Sequence, residues 1–593
     1  LDQLADHGVH GVEAKRARYA ELRAQSEQSP LALAADLFLA AFLMPKRLAE
    51  GERALTTAAA TARFPTTATL DMALDGTLGP AHSVIQAARR VCREARVLHW
   101  PLAFPQVFEK GGFDVVLGNP PWERIKLQEQ EFFAHRAPDI AQAQNKAARD
   151  RAIRRLAQAP AGSPERALFD AFVDAKQRAE ATSAFCHAPA RFPLTGVGDV
   201  NTYALFSESA YRMIAPGGRA GIVVPTGIAT DDSTKAFFGD VVEKRRLVSL
   251  YDFENRDAIF PGVHRSYKFC LLTLGRAEAA EFAFFATQAE QIRDARRRFR
   301  LSAEDFRLIN PNTRTCPVFR SEYDAELTKK IYRSVPVLID ETKPPEEGNP
   351  WGLSFLRMLD MSNDSHLFLE EPAPGALPLY EAKMIHQFDH RWATYEPVAG
   401  GRRAPAARDV TDAEKADPKF TIRPRYWVPT KEVHAKLRAA GWTRKWLMGW
   451  RRICRTTDER TLLASIMAAN SVGDSVFLWI FDDDGQPALN AAFLGATNSL
   501  VVDFVTRQKQ GGTNLSFYYM KQLPIHHPGH YTPADLAFIV PRVLELTYTA
   551  EDLRPWAQDL GYTGDPFPWD PDRRAVLRAE LDAYFAFLYG LTR

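Results

Sequence analysis

An α/β fold is expected, with a doubly wound sheet followed by an α+β domain and flanked by helical ends. Three observations predict it. Short apolar, β-branched runs bounded by glycine, Phe113–Gly118 and Arg219–Pro225, read as buried parallel strands. Between residues 199 and 274 such runs alternate with helical periodicity, the order that builds a parallel sheet. From about residue 281 the alternation is lost and Pro, Asn and Trp become frequent, which marks a second domain. The strands at hand supply only the second half of a Rossmann-like sheet.

In chain order, residues 1–98 read as a helical connector without chemistry, with Val12–Gln25 and Pro30–Leu48 as its clearest helices. The Ala/Thr tract Thr56–Thr69 is expected to be a frayed connection. Residues 99–280 form the α/β domain, interrupted by a charged helical insertion over 137–182 that breaks at Pro160–Pro164. Asp199–Ile214 is a helix candidate that Asp199 or Asn201 can cap. Pro216–Gly218 turns the chain into the strand Arg219–Pro225. A helix over Lys235–Lys244, a strand over Leu247–Asp252 and a last strand over Tyr267–Leu274 follow. Residues 281–535 form the irregular α+β domain, with loops at Asp340–Pro350 and Pro397–Pro418. Residues 536–593 close the chain as a helical segment, with helices expected at Ala534–Leu546 and Arg573–Leu588.

Composition narrows the class. With 593 residues, 46% of them hydrophobic, the chain has material for roughly three to four domains. Lys+Arg 75 against Asp+Glu 73 gives a net charge of +2, so a nucleic-acid surface must appear as a local cluster. Five scattered cysteines without a Cys-x-x-Cys pair exclude a zinc ribbon or disulfide scaffold and fit a reducing cytoplasm. No apolar run reaches the roughly 18 residues that span a bilayer, so no membrane partner is expected.

The sharpest motif is Asn119-Pro120-Pro121-Trp122, just past a strand, where open α/β sheets bind ligands. The lone pair of an exocyclic base amine is delocalised into the ring, which makes it a poor nucleophile. Two acceptors drawing on its hydrogens, the Asn119 side-chain oxygen and the Pro120 carbonyl, push it towards tetrahedral geometry. Consecutive prolines keep those acceptors aimed, and Trp122 offers a flat face for an unstacked base. No metal is required, and none is expected.

At these residues the chain resembles the amino-methylating DNA methyltransferases, and Leu117–Glu123 is similar to the catalytic motif of the N6-adenine group. Asn201–Phe206, Pro216–Thr226 and Asp257–Phe269 are similar to segments that follow that motif. Most of residues 99–535 resembles the Eco57I-type (gamma-class) methylase family, with a catalytic domain followed by a DNA target-recognition domain. Asn349–Gly352, Tyr380–His390 and Arg507–Leu515 match segments that recur there. The resemblance implies a site-specific, adenine-specific DNA methyltransferase that uses S-adenosylmethionine and flips its base from the duplex. It also implies service in type IIG restriction–modification or phage defence, where defence-system subunits are further candidate partners. Tyr267 and Phe269, two apart on a strand, are expected to share a face, and one of them to stack on the flipped base opposite Trp122.

One departure bears on the cofactor. The family's glycine-rich turn, near Asp-Pro-x-x-Gly-x-Gly, has no match: Gly196-Val-Gly198 lacks a preceding strand, and Gly217-Gly218 leads into a strand rather than a helix. In the family order the missing strand lies upstream of Leu1. The chain, which starts with Leu, is therefore expected to be the C-terminal portion of a longer enzyme, inactive alone and partnered by the missing part.

Double-stranded DNA is the expected macromolecular partner. Between Thr421 and Arg455 stand ten Lys or Arg against one acid, Glu432. From this segment Arg423, Arg425, Arg444, Lys445, Arg451, Arg452 and Arg455 are candidate DNA contacts. Trp442, Trp446 and Trp450, four apart, read as a helix core stripe. Arg507, Lys509 and the loop Gly511–Asn514 form a second candidate. Competing readings are a DNA-binding fragment without activity, a protein- or ribosomal-RNA methyltransferase, and part of a bifunctional endonuclease–methylase. Asp364, Glu381 and Lys383 imitate a metal-nuclease site of the last kind. Cytosine-C5 chemistry is disfavoured, because no cysteine sits in a Pro-Cys loop.

Overall fold

The structure, a computed structural model, describes residues 8–46, 56–143, 146–396, 406–455, 457–482, 486–510 and 512–591. It is mixed α/β with helical ends. The chain divides into two compact units, one comprising the chain to Pro225 with Arg246–Val248 and Leu271–Ala277, the other the remainder.

The main sheet has six strands: β1 (Phe113–Gly118), β2 (Ile214–Pro225), β3 (Leu247–Glu254), β4 (Lys268–Leu274), β5 (Ala280–Ala286) and β6 (Phe299–Leu301). Their order is β1-β2-β4-β3-β5-β6. β1 runs parallel to β2 and β3 parallel to β5, whereas β6 is antiparallel to β5. The expected last strand, ending at Leu274, is thus followed by two more. The run Phe282–Phe285 lies in the first of them, β5, where Phe282, Ala283 and Phe284 are buried.

In the first unit, the predicted turn Pro216–Gly218 lies inside the long strand β2 as an irregularity, between the pairs Phe113↔Ile214 and Val115↔Arg219. Gly218 is obligatory there, because a Cβ would lie 2.5 Å from the Phe113 carbonyl oxygen. The helix after the insertion is Thr202–Met213, and of the two candidate caps Asn201 is used. The N-terminal segment folds as helices, among them Gly8–Glu27 and Pro30–Leu43. The Thr56–Thr69 tract is not frayed: it begins two short helices, Thr57–Arg63 and Thr67–Leu74, each capped by a threonine. Satisfying the exposed amides offsets the weak propensity of Thr. The insertion shares a small core with the helix before it, formed by Phe133, Ile140, Ile153 and Phe172. β1 itself is an edge strand among the described residues, and Val115 and Leu117 are 67% and 84% exposed.

In the second unit, strands Leu353–Leu356, Trp446–Arg451, Ala464–Ala468 and Val476–Phe481 form a four-stranded sheet with antiparallel pairing. The tryptophan stripe is therefore a strand and not a helix. A spacing of four is also even, so Trp446 and Trp450 share one face of the strand, and both are fully buried. Their indole nitrogens donate to Asp559 Oδ2 (2.8 Å) and the Leu515 carbonyl (3.0 Å). The segment Tyr380–His390 anchors a buried network. Lys415 Nζ lies 2.6 Å from Asp389 Oδ2, with both side chains 3% exposed, and His390 bonds Asp552. Burial works to raise the Asp389 carboxyl, but Lys415 and Arg574 hold it below its ordinary value. The predicted tail helices are Pro533–Thr547 and Pro571–Leu588. Part of the predicted loop Pro397–Pro418, residues 397–405, lies outside the described residues; beyond it are a short strand, Ala407–Asp409, and a helix, Asp412–Ala416. Among the described residues no single helix is long and apolar enough to cross a membrane.

Candidate active site and nucleic-acid interface

Asn119 follows the carboxyl end of β1 directly, at the position where parallel strands present ligand-binding loops. Pairing of Gly118 with Ile222 brings the loop alongside β2. There Trp122 Nε1 donates to the Val223 carbonyl at 3.2 Å, which fixes the indole while its ring stays half-buried. The chain then pairs with the segment before the helix Thr202–Met213. Ile125 N donates to Val200 O (3.1 Å) and Thr202 N to Glu123 O (2.9 Å). Thr202 Oγ1 lies 2.7 Å from the Pro121 carbonyl oxygen and accepts from Glu123 N at 3.0 Å. One hydroxyl thus pins the loop on both sides of Trp122. Asn119 itself is exposed. Thr202 was not singled out from sequence; the signal was its place beside the capping Asn201, but its loop contacts span some eighty residues.

Tyr267 and Phe269 part company. Phe269 is 4% exposed, stacked on Phe253 at 5.2 Å and 8° and met edge-on by Phe260 at 4.9 Å. It is a core residue of the sheet and not a base-stacking wall. Tyr267 precedes β4 and is 57% exposed.

The two basic segments of the second unit come together. Ile453 pairs with Asn514, and Leu515 N donates to Arg452 O at 2.6 Å. Arg452, Asn514, Lys235 and Lys521 line one cleft of about 580 Å³. Gly511 lies outside the described residues. Lys445 and Arg455 are exposed. Arg423, Arg444 and Arg452 each meet a carboxylate, Glu371 at 3.1 Å, Asp559 at 2.8 Å and Asp474 at 3.4 Å. Arg425 lies over the Tyr426 ring at 4.9 Å, and Arg507 bonds Asp503 at 3.1 Å.

Two of the basic candidates are corrected. Lys509 is 3% exposed, and its ammonium donates to Ile309 O at 2.7 Å and to Asn310 Oδ1, with burial lowering its pKa well below the ordinary value. Arg451 ends a buried strand and donates Nε to the Ile385 carbonyl at 2.6 Å. Lys509 is spent inside the fold and is not a phosphate contact, and Arg451 is half-buried with its Nε turned inward.

The nuclease imitation does not assemble either. Asp364 Oδ2 accepts from Asp360 N at 2.8 Å and meets Lys436 at 3.3 Å, while Glu381 accepts the Tyr395 hydroxyl. Among the described residues no three His, Cys, Asp or Glu side chains are placed to hold a metal ion. The glycine pairs do not form a cofactor turn. Gly198, with φ of +63°, precedes a helix without a strand before it, and Gly218 is a packing glycine.

The sequence profile of the Eco57I restriction-modification methylases matches residues 71–152. No curated protein matches the chain. Three solved structures are similar to it. The type IIG restriction endonuclease BpuSI is 12% identical, with 70% of this chain and 52% of that one covered at a TM-score of 0.24. The type IIL restriction-modification enzyme MmeI, solved in complex with DNA, is 10% identical, covering 83% and 56% at 0.35. A modification subunit of a type I restriction enzyme from Vibrio vulnificus YJ016 is 12% identical, covering 43% and 63% at 0.17. The chain spans about half the length of the first two. The profile match includes Asn119–Trp122, so this stretch of the chain is similar to the Eco57I restriction-modification methylases.

Proposed function

We propose that the chain performs the base-binding half of site-specific DNA methylation, with the N6 amine of an adenine flipped from duplex DNA as acceptor. The observation that carries this reading is the clamped loop at the end of β1. Asn119 is exposed, Trp122 is tied to Val223, and the Pro121 carbonyl is engaged by Thr202. Asn119 Oδ1 and the Pro120 carbonyl accept the two amine hydrogens, and the face of Trp122 receives the ring. Their contribution is positioning and preorganised electrostatics. Unstacking a base costs a few kcal/mol, which contacts from the basic segments Arg423–Arg455 and Arg507–Asn514 offset. Tyr267, exposed ahead of β4, is the remaining aromatic candidate for the second wall.

The methyl donor implied by the family is S-adenosylmethionine. The described residues do not supply its glycine-rich turn, so no step is assigned to it. The predicted boundary at 280/281 cuts β5, so the catalytic part is taken from residue 99 to the end of β6 at Leu301, and the target-recognising part from there to residue 535. The biological setting it implies is restriction–modification or phage defence in the cytoplasm.

The test is Asn119→Ala in the protein. Methyl transfer from S-adenosylmethionine to duplex DNA should fall at least about a hundredfold, while DNA affinity in a gel-shift titration stays close to the parent's. Loss of both together contradicts the assigned role.

A further inference from the structure

A second concave site lies at the carboxyl ends of the parallel strands β3 and β5, within the second unit. It is a cleft of about 530 Å³ that collects side chains from five separate stretches of chain. Glu254 and Arg256 come from the end of β3, Phe285 from the end of β5, and Asp294, Arg296 and Arg297 from the stretch before β6. Arg320 and Thr457 complete it from the α+β region. Parallel sheets bind ligands at this end because the loops there diverge.

The charges do not cancel. Glu254 takes Arg256 at 2.8 Å, and Asp294 takes Arg296 through two bonds of 3.0 and 2.8 Å. Arg297 and Arg320 line the same cleft with no carboxylate in ion-pair reach among the described residues. Two guanidinium groups without a direct ion-pair partner in one concavity call for an anion with oxygens to spare.

The backbone adds an independent sign. Phe285 adopts φ of +59°, the left-handed region that a phenylalanine avoids, immediately beside this cleft. In that conformation its amide donates to the buried Asp252 at 3.0 Å. Its ring is approached by Lys268 at 4.9 Å and Arg320 at 5.0 Å. The aromatic face thereby gathers cations that would otherwise disperse.

We propose that this cleft binds phosphates of a nucleic-acid strand, as a subsite apart from the Asn119 loop. A strand, rather than a free phosphate, is favoured by continuity: the exposed Arg455 closes the basic segment two residues before Thr457, which lines the cleft. The identification of the strand as DNA rests on the function proposed above, but the site does not depend on methyl transfer.

The experiment measures the affinity of the full-length protein for a fluorescein-labelled DNA duplex by anisotropy across a salt series. For the double variant Arg297→Gln, Arg320→Gln, affinity at 0.1 M salt should fall about tenfold or more. The slope of log affinity against log salt should become shallower by about two, one per phosphate contact. Arg297→Lys, Arg320→Lys should keep the parent slope, since a point charge suffices. An unchanged slope in the glutamine variant overturns the proposal, and so does equal loss in the lysine variant, which marks a structural role. Competition by inorganic phosphate with no change in DNA slope overturns the strand. Because Asn119→Ala reads methylation and this series reads binding, failure of one is distinct from failure of the other.

Discussion

Thr202 shows how a single hydroxyl sets the aim of a loop. It meets Pro121 O at 2.7 Å and Glu123 N at 3.0 Å, so removing it frees the chain on both sides of Trp122. Thr202→Val should lower kcat of the full-length enzyme by about ten- to a hundredfold with little change in KM for DNA, because displacements near 1 Å cost that much. Thr202→Ser should restore most of it; steady-state methylation kinetics decide. At this scale the reading from sequence was uneven. Asn119–Trp122 stands out in the sequence because the chemistry proposed for it is local, contained in four consecutive residues. Lys509 and Phe269 were misjudged, since nothing local distinguishes a lysine that bonds Asn310 from one that faces phosphate. The arginines of the β5–β6 connection, Arg296 and Arg297, were passed over although their clustering was visible.

Elements were read by period, and period is ambiguous when spacing is even. Trp446 and Trp450 satisfy a helix and a strand alike, and the strand prevailed because Ala464–Ala468 and Val476–Phe481 flank it on both edges. Pro216–Gly218 signalled a turn and became an irregularity within β2, since parallel pairing resumes at Arg219. Two histidines, the half-buried His386 and the buried His526, carry a pH dependence. Burial, reinforced by His530, lowers the His526 pKa from 6.5 to about 4, and burial with Arg451 does the same for His386. The unfolded chain takes up each proton near pH 6.5, the folded one only near 4. Stability is therefore full above about pH 6.5 and declines as pH falls towards 4. At pH 5 the loss should be about 2 kcal/mol per histidine. Urea unfolding midpoints at pH 7.5 and 5 measure it, and His526→Gln should flatten the difference.

At the scale of the molecule, stability is distributed unevenly. The first unit holds several small cores, one around Leu33, Leu37 and Ile85 and another around Phe133 and Phe172. The fold class was legible because alternation of strand and helix survives in any parallel sheet. The extent of the sheet was not, because β5 and β6 follow a charged stretch that resembles a boundary. β1 carries the loop of the candidate active site yet among the described residues is paired on one side only, with Val115 and Leu117 largely exposed. Parallel ladders are the weaker kind, and an edge strand opens without disturbing its neighbours' other bonds. In hydrogen exchange the amides of Phe113–Gly118 should therefore exchange roughly tenfold or more faster than those of Leu247–Glu254, which lies between two partners. The loop proposed to hold two acceptors in register is mounted on an edge strand. Whatever quiets that strand also sharpens the aim of Asn119.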